Sequence, residues 1–298
     1  MLELEIMVER LRDEQIGDIV ALSSYIGWDY NKEEIETIFD SGIIYGVWNK
    51  RKELIASAAI ILYGEKLASI GMVIVHPNYK GSGIGKVITN ACIKSVSAQT
   101  SIMLIATDEG KPLYEKLGFR AVSYVSKYIC NSYNVNDYCV GNEDYMMNYE
   151  ECDLEEIIKL DENAFGTNRK AFLTKRIIQS EQCIVVKNNK QNVLGYGLSI
   201  QTSENKIIGP VVAKNDAMAM RIVHDLAREH HGKLRIDVPE GKKGFMKELE
   251  ITGFQKVNTP PIMIKNSDQF LKRNGELYSI AAQIFDKKES FCEKDSFL

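Results

Sequence analysis

A glycine-rich turn around residue 80 is the part of this sequence best suited to hold a charged ligand. The glycines permit positive φ angles and let a large ligand approach the backbone. Where such a turn opens a helix, several backbone N–H groups lack intrahelical partners and point outward at the positive helix end. We therefore predict an anion site suited to a diphosphate, to which two lysines add positive charge. The residues of this turn are Lys80, Gly81, Ser82, Gly83, Ile84, Gly85 and Lys86.

Spacing excludes two well-known nucleotide-binding motifs at this turn. A P-loop requires G-x-x-x-x-G-K-[ST], but Lys80 occupies the first glycine position and Val87 follows the lysine. A dinucleotide fingerprint requires G-x-G-x-x-G, and the third glycine position falls on Lys86 or on Ile88 in the two registers. What remains is a basic residue followed by x-x-G-x-G after an apolar strand.

Apolar periodicity places this turn between a strand and a helix. The pattern opens with two helices, the second capped by Asn31, and continues with a hairpin. A mixed sheet with helices on its faces is the economical packing of such a series. In the first half we predict helices at 14–25, 31–39, 84–96 and 111–117, and strands at 43–48, 54–62, 67–75, 102–106 and 119–128.

Composition indicates a soluble globular protein of two domains. The chain has 298 residues, of which 45% are apolar and 26% charged, with a formal net charge of −4. A chain with this net negative charge lacks the excess of positive charge that is typical of nucleic-acid-binding proteins. The apolar runs are too short for a membrane span, and the first residues do not form a signal segment, so we expect a cytoplasmic protein without membrane contact.

The cysteines and histidines do not predict a metal site. The six cysteines form no C-x-x-C pair, and three of the four histidines fall on one charged helical stretch without a partner at ligand spacing. We expect reduced thiols, with Cys92 and Cys183 buried in apolar stretches.

The second half of the sequence repeats the plan of the first. Gly253-Phe254 closes a short helix as Gly118-Phe119 does, which favours an internal duplication, although coincidental helix ends are an alternative. Residues 131–151 are predicted to be a linker, and the tail after 266 is predicted to hold a helix and a frayed end. The predicted elements are helices at 154–165, 217–230 and 245–251, and strands at 183–187, 193–200, 206–212 and 233–238.

Two segments together resemble the GCN5-related N-acetyltransferase (GNAT) family. The first is the turn described above with the strand before it, and the second is Pro112-Leu113-Tyr114-Glu115-Lys116-Leu117-Gly118-Phe119. Lys80 stands where the family usually has Arg or Gln, which leaves backbone donation intact. The resemblance covers roughly residues 3 to 130. It implies an α/β (α+β) fold with tandem GNAT-like domains, each a mixed, mostly antiparallel sheet flanked by helices.

The resemblance also implies a donor and a mechanism. The donor is acetyl-CoA, used as a cosubstrate without metal, with its pantetheine arm on the backbone of Val73, Ile74 and Val75. An N–H near Val73 would stabilise the oxyanion. Tyr114 occupies the family position of the general acid that protonates the leaving thiolate, and the alternative is a tyrosine packed on the sheet.

A general base is not recognisable in the sequence. The available carboxylates all fit equally well as helix caps or surface charges, and a water relay is equally consistent with the sequence. They are Asp29, Glu33, Glu34 and Asp108.

The second half resembles the degenerate acetyltransferase-like domain of some bacterial two-domain members. Its loop at 213–217 has no glycines and should not bind a pyrophosphate in the same manner. We predict a catalytic domain at 1–135, a degenerate domain at 145–266 and a helical tail at 267–298. Trp28 and Asp237 are candidate acceptor contacts, with core burial and a surface turn as their respective alternatives.

These observations predict an enzyme that acetylates the primary amine of a small molecule, acting as a monomer or homodimer. A non-catalytic acyl-CoA sensor is the main alternative, and an acetyltransferase of proteins or peptides is another. The sequence does not identify the acceptor.

Overall fold

The first half of the chain forms its helices and strands largely where apolar periodicity places them. A computed structural model describes residues 6–28, 30–134 and 145–280. The predicted cap of the second helix is confirmed, because the Asn31 side chain accepts the N–H of Glu34 at 2.8 Å. The strands are β1 (Val8–Arg10), β2 (Gly42–Trp48), β3 (Leu54–Tyr63), β4 (Leu67–Val75), β5 (Ser101–Ile105) and β6 (Arg120–Cys130). The helices are α1 (Ile16–Tyr25), α2 (Lys32–Ser41), α3 (Ile84–Lys94) and α4 (Lys111–Lys116).

The second half repeats this order and adds elements that periodicity does not show. Its helices are α5 (Leu154–Phe165), α6 (Lys170–Gln179), α7 (Asp216–Ala227) and α8 (Lys243–Ile251). Its strands are β7 (Tyr145–Asn148), β8 (Gln182–Lys187), β9 (Val193–Gln201), β10 (Lys206–Val212), β11 (Leu234–Pro239), β12 (Gln255–Asn258), β13 (Pro261–Lys265) and β14 (Leu277–Ser279).

Two predictions for the second half differ from the structure, and helix α6 was not predicted. The predicted linker contains β7, which pairs with β8. The apolar periodicity of α6 is interrupted by a charged residue, because Arg176 is buried among the apolar residues of the inner face of this helix. The predicted helical tail is wrong for its described part, 267–280, which contains strand β14 and no helix. The rest of that tail, like Cys139 and Cys292, lies outside the described residues.

The two halves share one mostly antiparallel sheet because they exchange strands. The main path of the sheet runs β1-β2-β3-β4-β5-β13-β6-β11-β10-β9-β8-β7, with β12 on β6 and β14 on β10. Strand β13 comes from the second half, yet it lies between β5 and β6. The end of β6 in turn pairs with β11 and β12. Each half therefore completes its sheet with a strand from the other, and the predicted division between 1–135 and 145–266 separates the sequence but not the sheet.

The parallel pairs β4/β5 and β10/β11 open in the same way. Strand β4 pairs with β5 only from Leu67 to Ser69, and β10 pairs with β11 only from Lys206 to Ile208. Beyond these short ladders the strands of each pair separate. The two gaps lie at corresponding points of the two halves.

Aromatic packing joins the halves behind the first gap, beside a buried ion pair of the second half. The ring of Tyr63 meets the edges of Phe165 at 5.2 Å and Phe172 at 6.0 Å between centroids. Arg169 lies over Phe165 and donates to both carboxylate oxygens of Asp161, at 2.7 and 2.8 Å. Both charged side chains are almost fully buried. Because two guanidinium nitrogens each donate to one carboxylate oxygen, the charges of this pair are compensated by hydrogen bonds despite their burial.

No helix among the residues described combines the length and apolar character needed to cross a membrane.

Removing the carboxylate of Asp161 should destabilise the protein strongly. Asp161→Ala leaves the Arg169 cation buried without its partner, which costs about 3–5 kcal/mol in free energy of unfolding. Urea denaturation measures this change. The matched control is Glu155→Gln on the same helix, because Glu155 forms an exposed ion pair with Lys170 and its loss should cost less than ~1 kcal/mol. Equal losses in the two variants would contradict the assignment.

Candidate active site

The glycine-rich turn has the backbone conformation that a ligand-binding loop at a helix start requires. Gly81 and Gly83 have φ angles of 79° and 84°, in the left-handed region. A Cβ at either position would meet nothing within 4 Å. These glycines are therefore required by the backbone conformation and not by close packing. Gly83 is the N-cap of α3 and provides no side chain to satisfy the first N–H groups of the helix.

Several N–H groups of the turn are available to a ligand. Among the described residues, no hydrogen-bond acceptor engages the N–H groups of Gly81, Gly83, Ile84 or Gly85. They lie at the positive end of α3, where a helix favours negative charge. This backbone arrangement fits a diphosphate.

A bulge in β4 redirects the backbone on the way to the turn. The register between β3 and β4 shifts between Ser57 and Ala59. Met72 lies in this bulge with a left-handed φ of 52°, and its carbonyl oxygen accepts the Ser57 hydroxyl at 3.2 Å. Because a bulge leaves a residue outside the regular ladder, it can aim backbone groups of Met72 and Val73 towards the gap beside β5.

The turn, the bulged strand and α4 enclose a cleft of about 650 Å³. It is open to solvent and mixes apolar walls with backbone polar groups. Of the predicted site residues, those that line it are Trp28, Val73, Ile74, Val75, Lys80, Gly81, Gly83, Ile84, Gly85, Lys86 and Tyr114. Ser82 does not line it, because its hydroxyl turns back to the carbonyl oxygen of Tyr79.

Tyr114 presents a protonated phenol to this cleft. Its side chain is 8% exposed and packs edge-on against Phe119, with 6.0 Å between ring centroids. Burial, with a smaller contribution from Cys92, raises the pKa of the Tyr114 phenol above its ordinary value. The group is therefore a proton donor and not a phenolate at neutral pH.

Lys80 is engaged across the mouth of the cleft. Its ammonium group lies 2.6 Å from a carboxylate oxygen of Glu109, and both side chains are exposed. A bound diphosphate would compete with Glu109 for this lysine. An exposed pair of this kind contributes little to stability, so the exchange is inexpensive.

Asp237 has a structural partner and does not reach either of the two cavities at the first gap. Its carboxylate accepts from Arg235 at 3.0 and 2.7 Å, and both residues are buried. An aspartate neutralised in this way offers no free charge to an amine. The structure thus gives no support to the predicted acceptor contact.

Of the carboxylates considered as bases, the three that the structure describes do not line the two cavities either. Glu33 and Asp108 are exposed, and Glu34 is buried at the cap of α2, 3.8 Å from Arg176. Asp29 lies outside the described residues. Within the described chain, no group of three or more His, Cys, Asp or Glu side chains is arranged to hold a metal ion.

A second, narrower cavity of about 50 Å³ lies behind the first gap, between the two halves. Ile105 lines both cavities, and Gly71 and Met72 on β4 line the second. The gap between β4 and β5 therefore separates a wide cleft on one side from an enclosed apolar cavity on the other. The second half and the segment after β13 supply Phe165, Arg169, Phe172, Phe270, Arg273 and Ile280.

The corresponding gap in the second half is filled by the chain itself. Strand β14 pairs with β10 at Val211 and Val212, and the N–H of Ile280 donates to the carbonyl oxygen of Asp237 on β11 at 3.0 Å. A Cβ at Gly209 would collide with the carbonyl oxygen of Ile280. The strand thus takes the place of a ligand between β10 and β11.

The helix start beside this second gap is also occupied. Asn215 caps α7 by accepting the N–H of Met218 at 2.9 Å. Asp216 adds a carboxylate at the same end and accepts the hydroxyl of Tyr278 from β14 at 2.7 Å. A side-chain cap and a carboxylate therefore already occupy the start of α7. The start of α3 has neither.

Comparison with known proteins agrees with this geometry. Two models described as acetyltransferase (GNAT) domains match, one at residues 23–128 and the other at residues 157–279. The chain is 34% identical over 275 residues to the uncharacterized N-acetyltransferase YitH of Bacillus subtilis (strain 168), covering 92% of this chain and 96% of that protein.

The chain belongs to the GNAT acetyltransferase family. It is a tandem GNAT protein and an acyltransferase, as the sequence predicted. It is also 24% identical over 235 residues to the holothin acyltransferase of Pseudoalteromonas sp. (strain SANK 73390), covering 77% of this chain and 78% of that protein. A crystal structure from Pyrococcus horikoshii, of a protein assigned to the acetyltransferases, superposes with a TM-score of 0.75 at 19% identity, covering 96% and 98% of the two chains.

Sequence reasoning missed most of the second cavity of this GNAT chain. Its walls come from α5, α6 and the segment after β13, none of which resembles a ligand motif. The only sequence signal is the cluster of Arg169 and Arg273 near phenylalanines at 165, 172 and 270, and it becomes visible only when the halves are placed together.

The plugged second gap predicts a single acetyl-CoA site per chain. Isothermal titration of the whole protein with acetyl-CoA should saturate at one ligand per chain, because β14 and Asp216 occupy the second position. Lys86→Ala should weaken this binding, whereas Lys214→Ala, the matched change in the second-half loop, should leave it unaltered. Saturation at two ligands per chain would contradict the prediction.

Proposed function

We propose that this GNAT protein transfers the acetyl group of acetyl-CoA to the primary amine of a small molecule by direct attack, with Tyr114 as general acid. The observation that carries the proposal is the convergence of three features on one cleft: the uncapped glycine turn, the opened edge of β4 and the Tyr114 phenol. Together they offer a diphosphate site, a slot for an extended chain and a proton donor.

The glycine turn would hold the diphosphate of the cosubstrate. The N–H groups of Gly81, Gly83, Ile84 and Gly85 lie at the start of α3, and Lys86 adds a nearby cation. Acetyl-CoA supplies an activated acyl group as a thioester. The backbone of β4 from Val73 to Val75 lines the same cleft and would bind the pantetheine arm in place of the missing β5 partner.

The bulge at Met72 and Val73 would position the reacting carbonyl. An N–H at this point can donate to the oxygen that becomes negative during attack, in a site with little water to compete. Removing one such donor in other enzymes costs roughly 10²–10³ in turnover. The Ser57 hydroxyl, bonded to the Met72 carbonyl oxygen, would hold the bulge in place.

Tyr114 would then give its proton to the leaving sulfur. A thiol has an ordinary pKa of about 8.5, below that of a phenol. Transfer is nevertheless reasonable, because the burial that raises the pKa of Tyr114 also disfavours a thiolate in the same cleft. The proton thus moves between two groups whose charged forms are both penalised by burial.

A small acceptor would approach from the opposite side of the gap. The cavity there is enclosed by both halves, which suits a small molecule better than a peptide chain. One relative is named for the acylation of holothin. Trp28 lines the wide cleft and not this cavity, so the contact proposed for it would be with the acceptor amine where it reaches the gap. A cytoplasmic location and a monomeric or homodimeric state remain predictions from the sequence.

Acetyl-CoA should stabilise the protein against thermal unfolding. Ligand at 100 times its dissociation constant adds about 2.7 kcal/mol to the free energy of unfolding. Gly83→Ala should weaken binding, since alanine in the left-handed region costs roughly 1–2 kcal/mol. Gly17→Ala is the control, because Gly17 is on α1 with open space around it and no left-handed φ. Absence of any stabilisation at millimolar acetyl-CoA would refute the proposal.

Tyr114→Phe should lower kcat and leave acetyl-CoA affinity unchanged. Loss of a general acid typically costs about 10²–10⁴ in rate, and phenylalanine keeps the packing against Phe119. Because the pKa of Tyr114 is raised, activity of the unaltered protein should not fall through its ionisation below about pH 10. Thiol release measured across pH tests both points. Unchanged turnover in the variant would remove the acid role, and binding without turnover over a broad amine panel would favour an acyl-CoA sensor.

A further inference from the structure

The cavity between the halves contains a guanidinium group without an anionic partner. Arg273 lies on the segment between β13 and β14, partly buried. Its Nε donates to the carbonyl oxygen of Phe165 at 2.7 Å, and its guanidinium carbon lies 4.2 Å from the ring centroid of Phe270. Among the described residues, no carboxylate lies within ion-pair distance of Arg273. The N–H groups of its two terminal nitrogens are therefore available to an anionic ligand.

The neighbouring charge in this cavity is already compensated. Arg169 is held by both oxygens of Asp161, which also accepts the hydroxyl of Tyr196. Burial, and then the charge of Arg169, lower the pKa of Arg273 to about 10, so that it stays protonated at neutral pH. Within the described part of the chain, the cavity thus carries one positive charge, that of Arg273, without a negative partner.

The remaining polar groups of the cavity are neutral. The hydroxyl groups of Tyr63 and Ser69 lie 3.3 Å apart and bond to each other. Burial keeps the phenol of Tyr30 neutral by raising its pKa. The other walls are apolar side chains of both halves. A ligand that fits this lining has an apolar body and one anionic group.

We propose that this cavity is the acceptor site and that Arg273 binds a carboxylate of the acceptor, which is a small amine with an apolar body and one carboxylate. The inference rests on the proposed acetyl transfer. It adds the class of the acceptor and a specificity-determining residue.

The placement of the cavity suits such an acceptor. Arg273 is contributed by the segment after β13, whereas Gly71, Met72 and Ile105 form the wall at the gap between β4 and β5. An acceptor held by its carboxylate at Arg273 can extend its amine towards that gap, where the thioester would lie. Fixing one end of a substrate in this way orients the other end for attack.

One guanidinium favours a carboxylate over a phosphate. A single planar fork matches the charge and geometry of one carboxylate. A phosphate dianion would leave an excess negative charge among apolar walls, which is costly to bury. The cavity of about 50 Å³ is smaller than such an acceptor, so its walls must widen when the acceptor binds. Phe270 and Arg273 line the cavity on a segment without helix or strand.

Paired acceptors with equally basic amines test the proposal. The compounds are 4-(aminomethyl)benzoate against benzylamine, and 4-aminobutyrate against butylamine, assayed by thiol release from acetyl-CoA. The unaltered protein should prefer the carboxylated member of a pair. Arg273→Gln should lower kcat/KM for that member about 10- to 100-fold, mainly through KM, and should change the uncharged member by less than about threefold.

Two further variants separate charge from folding. Arg273→Lys should recover part of the preference, because lysine keeps the charge but lacks the planar fork. Lys272→Gln removes the adjacent exposed cation, which does not line the cavity, and should leave both acceptors unchanged. Acetyl-CoA should stabilise all of these variants thermally to the same extent, since its site lies on the other side of the gap.

Several results would overturn the inference. They are a preference for the uncharged amines, an Arg273→Gln loss that is equal for both members of a pair, or a preference that survives the substitution. An unaltered protein that binds acetyl-CoA but is neither active on the carboxylated amines nor stabilised by them would also overturn it. Failure to bind acetyl-CoA at all would instead refute the proposed function.

Discussion

The gap between β4 and β5 is the feature on which the rest of this structure depends. Parallel strands that separate after a three-residue ladder leave backbone N–H and C=O groups without strand partners, and such groups must be satisfied by water, by a ligand or by another part of the chain. In the first half the gap joins a wide cleft to a narrow apolar cavity. The glycine turn, the bulge at Met72 and the Tyr114 phenol are all arranged around this opening.

The second half shows the other solution to the same constraint. Its parallel ladder is equally short, but β14 fills the gap beyond that ladder and pairs with β10. The start of α7 is capped by Asn215 and carries Asp216, whereas the start of α3 has only glycine. The two copies of one fold thus differ: among the described residues, the first leaves backbone groups at its gap without partners in the chain, and the second pairs them with β14.

The second half nevertheless contributes to the proposed acceptor site. The exchange of β13 into the first sheet leads the following segment, with Phe270 and Arg273, behind the first gap. The buried pair of Arg169 and Asp161 fixes the aromatic side chains that face Tyr63. Because buried charges tolerate little displacement from their partners, this pair holds the wall of the cavity in one geometry while the cleft stays open to solvent.

The sequence by itself determined the local elements and the glycine-rich turn. Short apolar runs specify β2 to β4, Asn31 specifies the cap of α2, and the glycines specify a left-handed turn, because each of these depends on neighbours within a few positions. It did not determine the strand exchange, α6, the β14 plug or the ion pair that occupies Asp237. These were decided by the tertiary structure. The strands that pair between and within the halves are distant in the chain, and Arg176 is buried beside Glu34 of the first half. Arg235 is only two positions from Asp237, but the burial of this pair on β11 depends on the neighbouring strands β6 and β10, which leave no local pattern.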